Sequence, residues 1–205
     1  MLKQKIKTIF SDIGGVLLSN GWGHLSRMAA AKKFNLEYDK MDFLHDFIFN
    51  VWEMGKIDID AYLDTVVFNE ERNFRPEEFK EFMLSESKLL PDTLPWMIEW
   101  KRKNENVKIF SINNEPRELN EYRIEKFNLH NLFDGFISSC EMGMRKPDPG
   151  IFKIALGIAQ VKPNECIYFD DRIMLVEAAK KVGLNAFHHK TFEATKKIIE
   201  SFNYS

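Results

Sequence analysis

The run Ile6-Lys7-Thr8-Ile9-Phe10-Ser11-Asp12-Ile13-Gly14-Gly15-Val16-Leu17 decides the fold. Ile6 to Ser11 is apolar and β-rich, and it gives way at Asp12, Gly14 and Gly15 to a loop, as a buried strand does where it ends. Comparable runs return only after Pro91: Val107 to Ile112, Phe136 to Ser139, Cys166 to Phe169 and Leu184 to His188, separated by segments of helical periodicity. Strands alternating with helices pack as a parallel sheet covered on both faces, so the pattern predicts a doubly wound α/β core. From about Trp22 to Lys88 the apolar residues recur at helical spacing, as in Phe43, Phe47, Ile48 and Val51 or Tyr62, Thr65, Val66 and Asn69. Asp58 or Asp60 is expected to cap one of these helices, and Arg75-Pro76-Glu77-Glu78 opens another, with Pro in the first turn. A helical block inserted after the first strand predicts a lid over the strand ends. The expected organisation is a core at residues 1–17 and 90–205 and a helical cap at 18–89.

The 205 residues, 44% hydrophobic and 29% charged, supply a packed core and exclude a disordered chain. Lys and Arg (29) nearly balance Asp and Glu (31), which gives no bulk electrostatic reason to expect nucleic acid or an anionic membrane as partner. No apolar run approaches the roughly 20 residues that span a bilayer. The N-terminus carries Lys3, Lys5 and Lys7 without the apolar stretch of a secretory signal, so the expected location is the cytoplasm. Cys140 and Cys166 are too few for a disulfide framework and read as buried apolar filler. The oligomeric state is left open.

In an open parallel sheet the ligand lies beyond the carboxyl ends of the strands. The first strand ends at Asp12, the second at Ser111 followed by Asn113 and Asn114, and the strand at Cys166 to Phe169 ends in Asp170-Asp171. Lys146-Pro147-Asp148-Pro149 presents a lysine just before a helix that Asp148 can cap. Each residue has a local explanation: turn chemistry for Asp12, a satisfied backbone group for Ser111, a solvated charge for Lys146, helix capping for the acid pair. Their joint occurrence at the ends of different strands is harder to assign to turns. Carboxylates supply hard oxygen ligands for Mg²⁺, while hydroxyl and ammonium groups orient a phosphoryl group that a free carboxylate can attack.

Four blocks resemble the haloacid dehalogenase (HAD) superfamily, in the subgroup with a helical C1-type cap after the first motif. They are Ile9 to Leu17, Ile109 to Asn113, Phe133 to Ser139 running on to Gly143 and Lys146-Pro147-Asp148-Pro149, and Ile167 to Asp171 with Ala178-Ala179 and Gly183. Trp52-Glu53-Met54-Gly55-Lys56-Ile57 is similar to a helix-turn segment of such caps. The resemblance implies a Rossmann-like core and a hydrolase of small phosphorylated metabolites. Asp12 would be the nucleophile that forms an aspartyl-phosphate, and Ser111, Asn113 and Lys146 would bind the phosphoryl group. Mg²⁺ would be held by Asp12, the Gly14 carbonyl, and Asp170 or Asp171.

One position departs from the pattern. The phosphatases of the superfamily usually carry a second Asp two residues after the nucleophile as general acid, and this chain has Gly14. General acid–base catalysis is worth about 10² to 10⁴ in rate, so an unreplaced loss implies a slow enzyme. Glu115, Asp171 and His24 are candidate replacements. Two alternatives stand beside the phosphatase: a 2-haloacid dehalogenase-like hydrolase, which needs neither acid nor metal, and a non-catalytic phosphate- or partner-binding member. Trp22, His24, Phe47, Trp52 and Met54 lie in segments able to face the catalytic loops, although a stripe of aromatics at helical spacing more often holds helices together. His24 is the expected substrate contact among them. His188 and His189 are expected at the surface or sheet edge, not as metal ligands.

Overall fold

A computed structural model describes residues 5–204; Lys3 lies outside the described residues. Five strands form one parallel sheet: β1 (Thr8–Ser11), β2 (Lys108–Asn113), β3 (Gly135–Ser138), β4 (Cys166–Asp170) and β5 (Asn185–His188). Their order is β3-β2-β1-β4-β5. The chain moves outward from β1 through β2 to β3, then crosses back to lay β4 and β5 on the other side. The order therefore reverses between β1 and β4, and the crevice opens at their carboxyl ends. Ser11 pairs with Ser111 on one flank and with Phe169 on the other, so Asp12 emerges beside the end of β4.

Strand alternation fills the two faces of the sheet. Ile9, Ile109 and Phe169 join Leu17, Leu94 and Met97 in one core, against α5 (Thr93–Lys103) and α10 (Phe192–Glu200). Phe10, Ile112 and Tyr168 join Phe152 and Val176 in the other, against α8 (Pro149–Ala159) and α9 (Ile173–Lys181). Asp148 caps α8 as its sequence suggests, accepting from the Gly150 N–H at 2.7 Å. Cys140 and Cys166 are free and buried, and burial pushes their thiols up to about 11 and about 12, as expected for apolar filler.

Four helices intervene between β1 and α5: α1 (His24–Phe34), α2 (Tyr38–Glu53), α3 (Ile59–Val66) and α4 (Pro76–Ser85). At their base the outgoing and returning chains pair through an antiparallel Leu18–Leu89 bridge, with the Ser19 N–H donating to Lys88 O at 2.8 Å. The insertion has its own core of Trp22, Met41, Trp52, Tyr62, Phe79 and Met83. Trp52 stacks on Tyr62 at 3.9 Å between ring centroids, which places it inside this core and away from the catalytic loops. Asp58, not Asp60, caps α3 by accepting from Ala61 N–H at 2.8 Å; Asp60 pairs with Lys80. Among the described residues no helix is long and apolar enough to cross a membrane.

The insertion rests on the core where α2 ends. Gly55 there has φ +66, and a Cβ on it would sit 2.4 Å from the Cys140 carbonyl oxygen. Only glycine tolerates both the left-handed backbone and that approach to α7 (Ser139–Met142). α6 (Arg117–Lys126) follows β2, and its Arg117 pairs with Glu141 of α7.

Candidate active site

The crevice at the strand reversal is a cavity of about 300 Å³, at the small end of ligand sites. Asp12, Gly14, Asn114, Glu115, Lys146 and Arg172 line it from the core; Trp22, His24, Arg27, His45, Phe49 and Glu53 line it from the insertion. Asp12, Asp170 and Asp171 each place a carboxylate oxygen within 4.8 Å of the others. Two of the three follow strands that neighbour each other, and the register between β1 and β4 brings their ends together.

Lys146 is buried at the centre. Its Nζ lies 2.7 Å from Asp170 Oδ2, 3.2 Å from Asp12 Oδ2 and 3.1 Å from the Tyr168 hydroxyl. Burial alone would depress this ammonium, but Asp12 and Asp170 more than offset it and hold the lysine above its ordinary value. Burial pushes Asp12 up to about 7; Lys146 pulls it down, and Asp170 and Asp171 add repulsion. Asp170 is saturated by protein: Oδ2 takes Lys146 and Tyr168, and Oδ1 accepts from the Arg172 N–H at 2.9 Å. Asp171 is raised by burial and by Asp170, and its Oδ1 is buried with no hydrogen-bond partner. An all-oxygen donor set with an orphaned carboxylate oxygen fits a hard divalent cation, with Asp171 as the open ligand beside Asp12.

The second strand is placed differently from the sequence expectation. Ser111 is fully buried and donates to Asn113 Oδ1 at 3.0 Å; it does not line the cavity. Asn113 is likewise turned inward, where Ser138 donates to it at 3.1 Å and its own Nδ2 donates to Asn120 at 2.9 Å. The reason is register: Ser111 lies level with Ser11, one residue below Asp12, so the cavity wall is made by the residues after β2. Asn114 occupies it. Its side chain accepts from the Lys146 N–H and donates to the Lys146 carbonyl, both at 2.8 Å, and so fixes the backbone that carries the lysine.

Among the insertion residues, Trp22 and His24 do reach the cavity. His24 is bound to the Tyr38 hydroxyl at 2.6 Å, and Trp22 Nε1 donates to the Tyr62 hydroxyl at 2.7 Å. Phe47 is 77% exposed and points away; Phe49 takes the place expected of it. Met54 does not line the cavity. His45, beside the same Tyr62 hydroxyl at 2.8 Å, is pushed down to about 3 by burial and stays neutral. His188 contacts the Asp171 carbonyl at 2.8 Å, while His189 is buried against Thr195 instead of lying at the surface.

Tyr168, Asn20, Glu53 and Arg172 join the site without having been singled out by the sequence pattern, and Asn114, marked there only as a strand-end residue, joins them. Tyr168 carried a usable signal, since it stands two before Asp170 and strand alternation puts both on one face. Glu53 sits at the end of α2, held by Arg145 at 2.7 Å, and burial pushes it up to about 7 against that arginine, with Glu115 adding repulsion.

An open parallel sheet with a buried lysine and three carboxylates gathered at its reversal point is a ligand site of the doubly wound α/β kind. The chain belongs to the haloacid dehalogenase-like hydrolases, whose family model matches residues 6–183. A HAD family enzyme of Bacteroides thetaiotaomicron superposes with a TM-score of 0.81 at 22% identity, covering 96% of this chain and 99% of that one. The same enzyme in complex with magnesium and inorganic phosphate superposes with a TM-score of 0.75 at 22% identity, over 89% of this chain and 93% of that one. Bifunctional epoxide hydrolase 2 of Rattus norvegicus is 40% identical over 52 residues, 25% of this chain and 9% of that protein. Flavin mononucleotide hydrolase 1 of Arabidopsis thaliana is 29% identical over 140 residues, 68% of this chain and 56% of that protein. The chain thus spans well under two thirds of the length of these curated relatives.

Proposed function

We propose that the protein is a magnesium-dependent phosphomonoesterase that hydrolyses a small phosphorylated metabolite through an aspartyl-phosphate on Asp12. The observation that carries this reading is the meeting of three carboxylates within 4.8 Å of one another, beside a buried lysine 3.2 Å from Asp12, in a cavity too small for a macromolecule. A relative in the same family that binds magnesium and inorganic phosphate supports it.

The Asp12 carboxylate attacks phosphorus and the alcohol departs; water then releases phosphate and restores the carboxylate. Lys146 pulls Asp12 toward its ionised form against the effect of burial and attracts the phosphoryl oxygens. Asn114 assumes the polar role that the family pattern assigned to Ser111, while Ser111 and Asn113 brace the strand end beneath it. Asp12, the Gly14 carbonyl and Asp171 would hold the cation, with Asp170 behind them. When bound, the cation supplies the charge that offsets repulsion between carboxylate and phosphate. Residues 18–89 act as a lid that excludes water and sets the size of the substrate, with Trp22, His24 and Phe49 as its inner surface.

The test uses p-nitrophenyl phosphate with magnesium, with chelator, and after magnesium is restored. Phosphate release is expected to vanish on chelation and return with the metal. The melting temperature should also rise with magnesium, since a cation that binds only the folded state at about 100 times its Kd adds about 2.7 kcal/mol. Halide release from a 2-haloacid that ignores the chelator, with no phosphate release, would assign the site to carbon–halogen chemistry instead.

A further inference from the structure

The space vacated at position 14 is occupied. A Cβ built on Gly14 would lie 3.1 Å from Asn20 Oδ1 and 3.7 Å from Arg123 Nη1. Arg123 is fully buried on α6, pinned by donation from Nη2 to the Ser19 carbonyl. Its Nη1 lies 2.8 Å from Glu115 Oε2. The guanidinium therefore joins the space beside Gly14, where the resemblance described above would place a second aspartate, to a carboxylate that arrives from the end of β2. That carboxylate lines the cavity.

We propose that Glu115 is the general acid and base of this site, held by Arg123 in the part that an aspartate at position 14 would play. The inference rests on the phosphatase reading above and adds the residue that moves the proton. Burial raises the Glu115 carboxyl despite the opposing pull of Arg123, with weaker opposition from Lys146 and Arg172. A proton is therefore held more firmly than on an exposed glutamate. Glu53 faces Glu115 from the insertion, and the two are tied through Ser139, whose hydroxyl accepts from the Glu115 N–H at 2.9 Å and donates to the Glu53 carbonyl at 2.6 Å. Closure of the insertion and placement of the acid are thus one arrangement. A purely structural counterion for Arg123 would have no reason to border the cavity, and Glu115 Oε2 meets Arg123 without the alignment of a hydrogen bond.

The proton balance closes over the two half-reactions. As Asp12 Oδ forms its bond to phosphorus, the bridging P–O bond breaks, its electron pair stays on the alcohol oxygen, and Glu115 delivers its proton there. The resulting carboxylate takes a proton from water as the water oxygen attacks the phosphorus. The Asp12–phosphorus bond then breaks with its pair returning to Asp12, inorganic phosphate leaves, and Glu115 is protonated again.

Glu115→Gln separates this role from a structural one. With magnesium, turnover of glycerol phosphate is expected to fall by about 10² to 10⁴, because an alkoxide leaves poorly without a proton. With p-nitrophenyl phosphate, whose phenolate needs none, a single equivalent should appear as a burst. The phosphorylated protein should then accumulate in the intact mass spectrum. Glu115→Gln combined with Arg123→Met removes both charges, so that a stranded arginine does not unfold the chain, and is expected to show the same burst and stall. Alkyl turnover at the wild-type rate in either folded variant would overturn the proposal. So would a gain of roughly tenfold or more on glycerol phosphate from Gly14→Asp in the otherwise native chain, because Glu115 would then not have been serving. Absence of wild-type turnover on both esters would instead remove the phosphatase reading and this inference with it.

Discussion

Replacing Asp12 with Asn is expected to give a folded protein that turns over no phosphate ester and that, in the metal-free state, is more stable than the native chain. Loss of turnover follows from removal of the nucleophile. An amide cannot form the aspartyl-phosphate, and the neighbouring Asp170 is tied to Lys146, Tyr168 and the Arg172 amide and cannot substitute. The gain in stability follows from the surroundings of Asp12. Its carboxyl is raised from 3.8 to about 7, first by burial and then by Asp170 and Asp171, with Lys146 opposing. A folded-state value above the unfolded one means that the folded protein holds its proton longer. The native chain therefore loses stability as pH rises between about 4 and 7, and the loss is complete above 7. Asn carries no charge and escapes it. In chelator, Asp12→Asn should match the native stability near pH 4 and exceed it at pH 8 by roughly 4 kcal/mol, read as a higher melting temperature. Equal melting curves at pH 8 would show that Asp12 is not under this strain. The trade of stability for a poised nucleophile is common in active sites.

Lys146→Met produces the opposite result. The side chain is 1% exposed, close to three oxygens of Asp12, Asp170 and Tyr168, and methionine fills nearly the same volume without the charge. Removing one partner of a buried ion pair typically costs roughly 3–5 kcal/mol, because the remaining charge is uncompensated. Here two carboxylates lose their cation at once. Without the opposing pull of Lys146 the Asp12 carboxyl rises further and takes up its proton sooner, so the deficit should be largest at pH 8 and shrink toward pH 4. Thermal melts at the two pH values in chelator check this. A deficit that does not depend on pH would mean that packing, not charge, holds the lysine loop. Activity should fall with the phosphoryl group's positive partner, and Arg at this position should not restore it, since Asn114 fixes the backbone for a lysine-length reach.

Much of the site was legible because each of its strongest residues stands at a place that local chemistry marks. Asp12 closes an apolar run before two glycines, Asp170 and Asp171 close another, and Lys146 precedes a helix with its own Asp cap and proline. The strands were legible for the same reason: in a sheet buried on both faces they are short apolar runs between turns. Ser111 was misplaced because strand register is a relation between chains of residues far apart in sequence. Its pairing with Ser11 sinks it one level below the nucleophile, and nothing within Ile109 to Asn113 reveals that. Asn114 looked like the second of two loop asparagines, and only the folded molecule shows it clasping the backbone of Lys146 across 32 positions of chain. The aromatics of the insertion divided only in part: Trp22 and Trp52 both pack into the core of the insertion, and Trp22, which precedes the first helix, also borders the cavity. Arg123 could not be found from sequence at all. It reads as one of several charges on α6, and its full burial depends on the glycines at 14 and 21, against which it packs.

Phosphorylation of Asp12 is the step on which the proposed mechanism depends. Rapid acid quenching of the protein during turnover of p-nitrophenyl phosphate with magnesium, followed by peptide mass mapping, reads this directly. The account predicts phosphate on the peptide that carries Asp12, present during turnover and gone once substrate is exhausted. Steady turnover in which that peptide never carries phosphate, or in which phosphate sits on another residue, would contradict it.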